Sequence, residues 1–157
     1  MKLLALDLSS NIGFALFAPG GPPRFGTLAL EGQGKAAICG KFGDWLEDFY
    51  SVDRFAACAW EAPFLKPGDK VDKIKILVGL VGVAFAFVGS ARHPMPHAEI
   101  GPKEVKRRMT GRQDAEKADV IAACWSIGWK VRNDHEADAC GVGLCAYEQI
   151  FPRRAAA

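Results

Sequence analysis

Two short apolar runs in this chain stop on acids. Leu3–Leu8 is a run of buried-type residues broken by Asp7, and Phe55–Trp60 is followed at once by Glu61. A short apolar run bounded by turn signals reads as a strand covered on both faces. A carboxylate is costly in such a place unless water, a cation or a metal reaches it. Both acids are therefore predicted at strand ends that open to solvent.

The segments between these runs say how the strands connect. Ser9-Ser10-Asn11 is turn chemistry, Ile12–Ala18 reads as a returning strand with Gly13 near its start, and Pro19-Gly20-Gly21-Pro22-Pro23 is a second turn before a strand at Phe25–Leu30. This is an antiparallel three-stranded meander. Lys35–Tyr50 has apolar residues at helical spacing (38, 42, 45, 46, 49). After Phe55–Trp60 come a loop marked by Pro63 and Pro67-Gly68, a long helix at Asp69–Val88 and a fifth strand ending near Ile100. Glycines 79 and 82 inside the long helix predict close approach of another helix. Pro102–Met109 reads as a basic helix with proline in its first turn. Asp114 is placed as the cap of a helix running to Ile127, and Asn133-x-x-Glu136 as a capping box for a last helix at about 134–150. The order β-β-β-α-β-α-β-α-α-α predicts an α/β fold, a five-stranded mixed sheet flanked by helices. Residues 1–152 are expected to form one domain and 153–157 a disordered tail.

In this topology the crossover through the first helix makes the strands ending in Asp7 and Glu61 parallel neighbours. Their carboxyl ends share the sheet edge where open α/β sheets bind ligands. A third acidic element is Asp134-His135-Glu136-Ala137-Asp138. On a helix, His135 and Asp138 are three apart and share a face, while Glu136 points away and suits the cap. The competing structural reading has Asp7 capping the Ser9-Ser10 turn, Glu61 paired with a lysine, and Asp134 and Glu136 answering the helix dipole.

Charge is segregated although the net charge of the 157 residues is only +2. Residues 1–61 carry five Lys/Arg against seven Asp/Glu, whereas 101–117 carry six against three. Lys103, Lys106, Arg107, Arg108, Arg112 and Lys117 form a basic run suited to phosphate, beside an acidic centre. Phe64, with Lys66, Lys70 and Lys73 close behind, is either a core anchor or an aromatic platform for a base. Five cysteines without CxxC spacing argue against a zinc site and for reduced, buried thiols, hence a cytoplasmic protein. Asp7 interrupts the N-terminal apolar run too early for a signal peptide. The longest apolar run, Ile76–Val88, is short of the ~20 residues a membrane helix needs, so no membrane partner is expected.

Several of these segments resemble the RuvC-type Holliday junction resolvases, a family with the RNase H-like fold. Leu-Ala-Leu-Asp7-Leu-Ser-Ser-Asn-Ile-Gly-Phe-Ala is similar to that family's first motif, and Trp60-Glu61-Ala-Pro-Phe64 to its second. Gly101-Pro102-Lys-Glu-Val105-Lys106, then Gly111 and Lys117, resemble its basic helix pair, and His135-Glu-Ala-Asp138-Ala its closing motif. The resemblance covers nearly the whole chain, in order. It implies that Asp7, Glu61, His135 and Asp138 are the catalytic, metal-ligating residues, with His135 where the family has Asp or His. It implies two Mg²⁺ ions per site, replaceable by Mn²⁺ and bridged by Asp7, and products with 5′-phosphate and 3′-hydroxyl ends. Phe64, Lys106, Lys117, Arg107 and Arg112 would contact DNA, with Phe64 as a wedge at the crossover. The helix at 69–88 would pair two copies into a homodimer on a four-way junction, in a bacterial or bacteriophage-encoded protein. Readings left open are another RNase H-like nuclease acting on flaps, forks or RNA–DNA hybrids, and a junction-binding module that does not cut. An actin-like ATPase fragment would need a second domain for which the chain is too short.

Overall fold

A computed structural model describes residues 1–30 and 34–151; the expected tail at 153–157 lies outside them. Strands β1 (Leu3–Asp7), β2 (Asn11–Phe17) and β3 (Arg24–Ala29) form the meander, and helix α1 (Gly34–Asp53) crosses to β4 (Ala57–Glu61). Helix α2 (Val71–Val88) crosses to β5 (His97–Ile100), and α3 (Pro102–Thr110), α4 (Lys117–Ser126) and α5 (Asp134–Ile150) complete the chain. The sheet order is β3-β2-β1-β4-β5. The meander pairs antiparallel, and β1–β4 and β4–β5 pair parallel. This is the predicted element order and the predicted five-stranded mixed sheet.

Alternation along the strands sends two residue sets to opposite faces. Toward α5 point Leu3, Ala5, Ala15, Ala57 and Ala59, which pack with Ala137, Ala139, Cys140 and Val142 of that helix. Toward α1 and α2 point Leu4, Leu6, Leu16, Cys58 and Trp60, which pack with Phe42, Leu46, Leu80 and Phe87. Small strand residues on the first face let α5 lie close to the sheet; Gly143 continues this, since a Cβ there would overlap the Phe17 ring. On the second face the predicted close approach of two helices occurs at Gly79, where a Cβ would stand 2.7 Å from Cys39 Sγ of α1. Gly82 instead faces open space.

Three local expectations change. Helix α4 begins later than predicted, at a reciprocal box of Glu116 and Asp119; Asp114 is exposed and paired with Arg112. Asn133 does cap α5, accepting from the Glu136 N–H at 2.9 Å, but Glu136 is fully buried rather than an outward cap residue. Of the five cysteines, all free, Cys39 is only half-buried. Among the described residues, no helix is long and apolar enough to cross a membrane.

Candidate active site

The register of β1 and β4 sets Leu6 opposite Trp60, so Asp7 and Glu61 are the next residues on adjacent strands. Ala5 and Ala59, two residues earlier, face α5. By alternation Asp7 and Glu61 do the same, at the carboxyl edge of the sheet. The first turns of α5 arrive at that edge carrying His135 and Asp138. His135 Nδ1 meets Asp7 Oδ2 at 2.7 Å, and an ionised carboxylate can only accept, so the imidazole donates.

Helix α5 is held there by backbone as much as by side chains. Gly13 lies opposite Asp7 across the β1–β2 ladder, and a Cβ at this position would overlap the carbonyl of His135. Only glycine lets the first turn of α5 settle onto β2. A polar bracket completes the anchor. Asn133 Nδ2 donates to Thr27 Oγ1 of β3 at 3.1 Å. Arg132 donates to the buried Glu136 carboxylate from its backbone N–H at 2.8 Å and from its guanidinium at 2.9 and 2.6 Å. A buried carboxylate paired and hydrogen-bonded in this way is retained, where an unpaired one would not be. The sequence reading missed both devices. A glycine within a strand pattern is itself a signal of close backbone approach, but nothing local says which backbone approaches.

The electrostatics of the edge are those of acids crowded without enough cations. Burial, then the charges of Asp138 and Asp7, push Glu61 up to about 8. Burial and the charge of Asp7 push Asp138 up to about 7. The hydrogen bond to Asp7 raises His135 above its ordinary value, against burial. Lys106 and Lys117 are close enough for their charges to favour ionisation of Glu61, and Lys117 acts on Asp138 as well. Lys117 also pairs with Asp134. That bond raises Lys117, and together with the His135 charge it holds Asp134 below the usual range despite burial.

The competing roles for the acids are filled otherwise. Ser9 closes its own turn, donating to the Asn11 carbonyl at 2.8 Å and accepting from its N–H at 3.2 Å, while Asp7 turns to His135. Among the described residues no lysine forms an ion pair with Glu61. Phe64 is 60% exposed, which sets aside the core-anchor reading. Arg107 and Arg112 are not brought to the carboxylates. Arg107 borders a cleft between α3 and α5 with Glu104 and Glu148, and Arg112 pairs with Asp114 at 3.2 Å and Asp119 at 3.7 Å.

Three carboxylates are the donor set of a hard divalent cation, and the imidazole beside them is a softer donor. The raised Glu61 and Asp138 are the mark of negative charge that a cation would relieve. As the side chains stand, no three His, Cys, Asp or Glu groups among the described residues close to metal-holding geometry. The fit therefore lies in donor chemistry and charge.

No family model matches the sequence, and comparison with curated proteins finds no match. Solved structures do match. The RuvC of Thermus thermophilus superposes with a TM-score of 0.66 at 21% identity, over 95% of this chain and 96% of that one. The same protein in complex with Holliday junction substrate gives 0.75 at 20% identity, over 98% and 95%. The chain has the RuvC fold. A yeast mitochondrial Holliday junction resolvase matches more distantly, with a TM-score of 0.55 at 13% identity over 89% of this chain and 75% of that one. The RuvC fold is an RNase H-like fold, as predicted. At these identities the likeness speaks for the architecture, and the chemistry rests on the residues at the sheet edge.

Proposed function

We propose that this chain is a metal-dependent endonuclease that resolves four-way DNA junctions, as a homodimer, by two symmetric nicks, with residues 1–152 acting as one nuclease domain. The observation that carries the reading is the placement of Asp7, Glu61, His135 and Asp138 on one carboxyl edge of a RuvC fold, with His135 bonded to Asp7 and with Glu61 and Asp138 raised by burial and by neighbouring acids. Asp7, Glu61 and Asp138 would hold two divalent cations, Mg²⁺ or Mn²⁺, whose chemistry is to lower the pKa of a bound water and neutralise charge on a phosphate. Asp7 orients the His135 ring, which leaves the other ring nitrogen free to take a proton from attacking water. Lys106 and Lys117 hold the scissile phosphate and answer the charge that develops on it. The cut leaves a 5′-phosphate and a 3′-hydroxyl.

Selectivity for a junction needs more than phosphate attraction, which carries no structural information. Phe64, exposed just past Glu61, offers a ring on which a base at the crossover stacks. Val71, Val78 and Phe85 lie exposed along the outer side of α2, with exposed Gly82 and Ala86 beside them. That apolar stripe suits an isologous contact with a second copy, which would place one site at each of two symmetric phosphates. Arg107 and Arg112, away from the carboxylates, would contact the duplex arms.

The test is a labelled four-way junction beside a duplex of the same sequence, in Mg²⁺, with sedimentation for the oligomeric state. Wild type is expected to be a dimer that nicks the junction and spares the duplex. Asp7→Asn should lose cleavage by at least ~10³-fold, the worth of several kcal/mol of charge stabilisation, while still binding. Phe64→Ala should lose junction cleavage and keep most affinity, because electrostatics supplies much of it. A monomer that cuts both substrates equally would overturn the resolvase reading in favour of a general RNase H-like nuclease.

A further inference from the structure

A cavity of about 340 Å³ opens beside the carboxylate edge, on the opposite side of the sheet from α5. Leu8 and the Ser9-Ser10 turn form one wall, and Lys73, Ile76 and Leu77 of α2 form the other. Nothing in the chemistry at the carboxylates uses it. Its volume is at the low end of the roughly 300–1,000 Å³ of small-molecule pockets, the size for one flat heterocycle. Its lining is mostly apolar with one uncommitted hydroxyl. Ser9 Oγ is spent on Asn11. Ser10 is exposed, and its hydroxyl has no hydrogen bond among the described residues.

Position decides what such a pocket would take. Leu8 follows Asp7 directly, so the wall of the cavity starts ~3.8 Å along the chain from the carboxylate site. Asp7 and Leu8 send their side chains to opposite faces of the sheet, so a strand whose phosphate rests at Asp7 and Glu61 would pass over the end of β1 to bring its next base to the cavity. Lys73, paired with Asp69 at 2.8 Å, lines that side, and exposed Lys66 and Lys70 stand just ahead of α2; these lysines would hold the adjoining phosphates. Leu8, Ile76 and Leu77 offer apolar surface to a ring, and a serine hydroxyl can both donate to and accept from a base edge.

We infer that this cavity receives one unstacked nucleobase from the nucleotide adjoining the scissile phosphate, and that Ser10 reads its edge. The inference rests on the nuclease reading above and makes the β1–β2 turn a specificity element of the same site. A junction strand is already unstacked at its crossover, so extruding a base there costs less than from a continuous duplex.

The experiment places 2-aminopurine at each nucleotide flanking the cut in a four-way junction, with Ca²⁺ replacing Mg²⁺ so that the strand stays whole. A parallel set of junctions varies that base among all four and is cut in Mg²⁺. Wild type should raise the fluorescence at one flanking position and prefer one base there by roughly two- to tenfold, the worth of a hydrogen bond. Leu77→Trp, which fills the cavity, should lose the fluorescence rise. Ser10→Ala, a surface change that does not threaten folding, should lose the base preference while still cutting. If wild type cuts junctions but neither variant alters signal or preference, the pocket assignment is overturned and the nuclease reading stands. If wild type cuts no branched DNA, both fall together.

Discussion

The two faces of the sheet are built on different rules. Toward α1 and α2, large residues meet large ones. Trp60, Phe42 and Phe55 are fully buried, and rings continue outward through Phe14, Trp45, Phe49, Tyr50 and Phe87 at centroid spacings of 4.8–6.4 Å. Toward α5, alanine and glycine dominate, and the helix touches the sheet through backbone, as at Gly13 and His135. Aromatic burial yields the most apolar area per residue, so the first face is where stability is concentrated. Small-on-small packing yields less area but sets the helix position tightly, because no rotamer can absorb an error. The acids are borne on the face that has positional precision.

The largest effect that would expose this difference comes from adding one methyl group. Gly13→Ala pushes the His135 carbonyl away, and with it the ring that meets Asp7. A misplacement of about 1 Å at a reacting group can cost ~10²-fold in rate. Gly13→Ala is therefore expected to lose at least that much cleavage while retaining its circular dichroism spectrum. His135→Ala should lose a comparable factor, ~10²-fold for a proton-transfer group, whereas His135→Asp should keep most activity. A Gly13→Ala protein as active as wild type would mean that the close approach of α5 has no functional weight.

On the other face the largest change acts on stability alone. Leu46 is fully buried among the α1–α2 cluster. Leu46→Ala is expected to cost ~2–5 kcal/mol, a fall in melting temperature of several degrees. Its cleavage rate per folded molecule should stay within about twofold of wild type. Inactivity of the folded Leu46→Ala protein would break the separation of the two faces.

What was legible in the sequence divides along the same line. The strands, the meander and the parallel pairing of β1 with β4 follow from periodicity, turn residues and crossover rules, all local or nearly so. Asp7 and Glu61 were legible because an acid interrupts an apolar run. Arg132 and Glu136 were not, because Arg132 precedes the helix and only the fold turns it back onto a carboxylate of the first turn. The cap of α4 was misplaced because Asp114 and Glu116 are both plausible caps by composition, and Arg112 takes the first. Gly13 was visible as a glycine in a strand; its partner, more than a hundred residues along the chain, was not.

A smaller effect concerns the crowded acids. Folding raises Glu61 from 4.5 to about 8 and Asp138 from 3.8 to about 7. A carboxyl raised on folding binds more protons folded than unfolded, so stability falls as pH rises. Its contribution is complete below the unfolded value near 4 and is lost through about 7 to 8. His135, raised by its bond to Asp7, pulls the same way. Without divalent cations the melting temperature is expected to fall between about pH 5 and pH 8.5. A cation bound at ~100 times its dissociation constant adds ~2.7 kcal/mol, roughly 5–10 °C here. Mg²⁺ or Mn²⁺ should thus stabilise strongly at pH 8 and much less at pH 6, where protons must leave first. Equal shifts at the two pH values, or none, would count against a cation site among these acids. Asp7→Asn should shrink the pH 8 shift.

The smallest effects belong to the lysines, and they separate contact with DNA from contact with the reacting phosphate. Lys117 is 70% exposed in its pair with Asp134, and such surface pairs are worth ~0–1 kcal/mol. Lys117→Ala should therefore melt within about 4 °C of wild type. Each phosphate contact removed should make the log–log salt dependence of junction binding shallower by ~0.9. Lys106 and Lys117 stand on the α5 side, near enough for their charges to act on Glu61, so losing either should slow cleavage of bound junction as well. Lys70 is exposed just ahead of α2, on the side built for stability. Lys70→Ala is expected to change the salt slope and leave the single-turnover rate alone. If Lys70→Ala slowed the chemistry as much as Lys106→Ala, the reacting phosphate would have to lie toward α2, and the assignment of catalysis to the α5 face would be wrong.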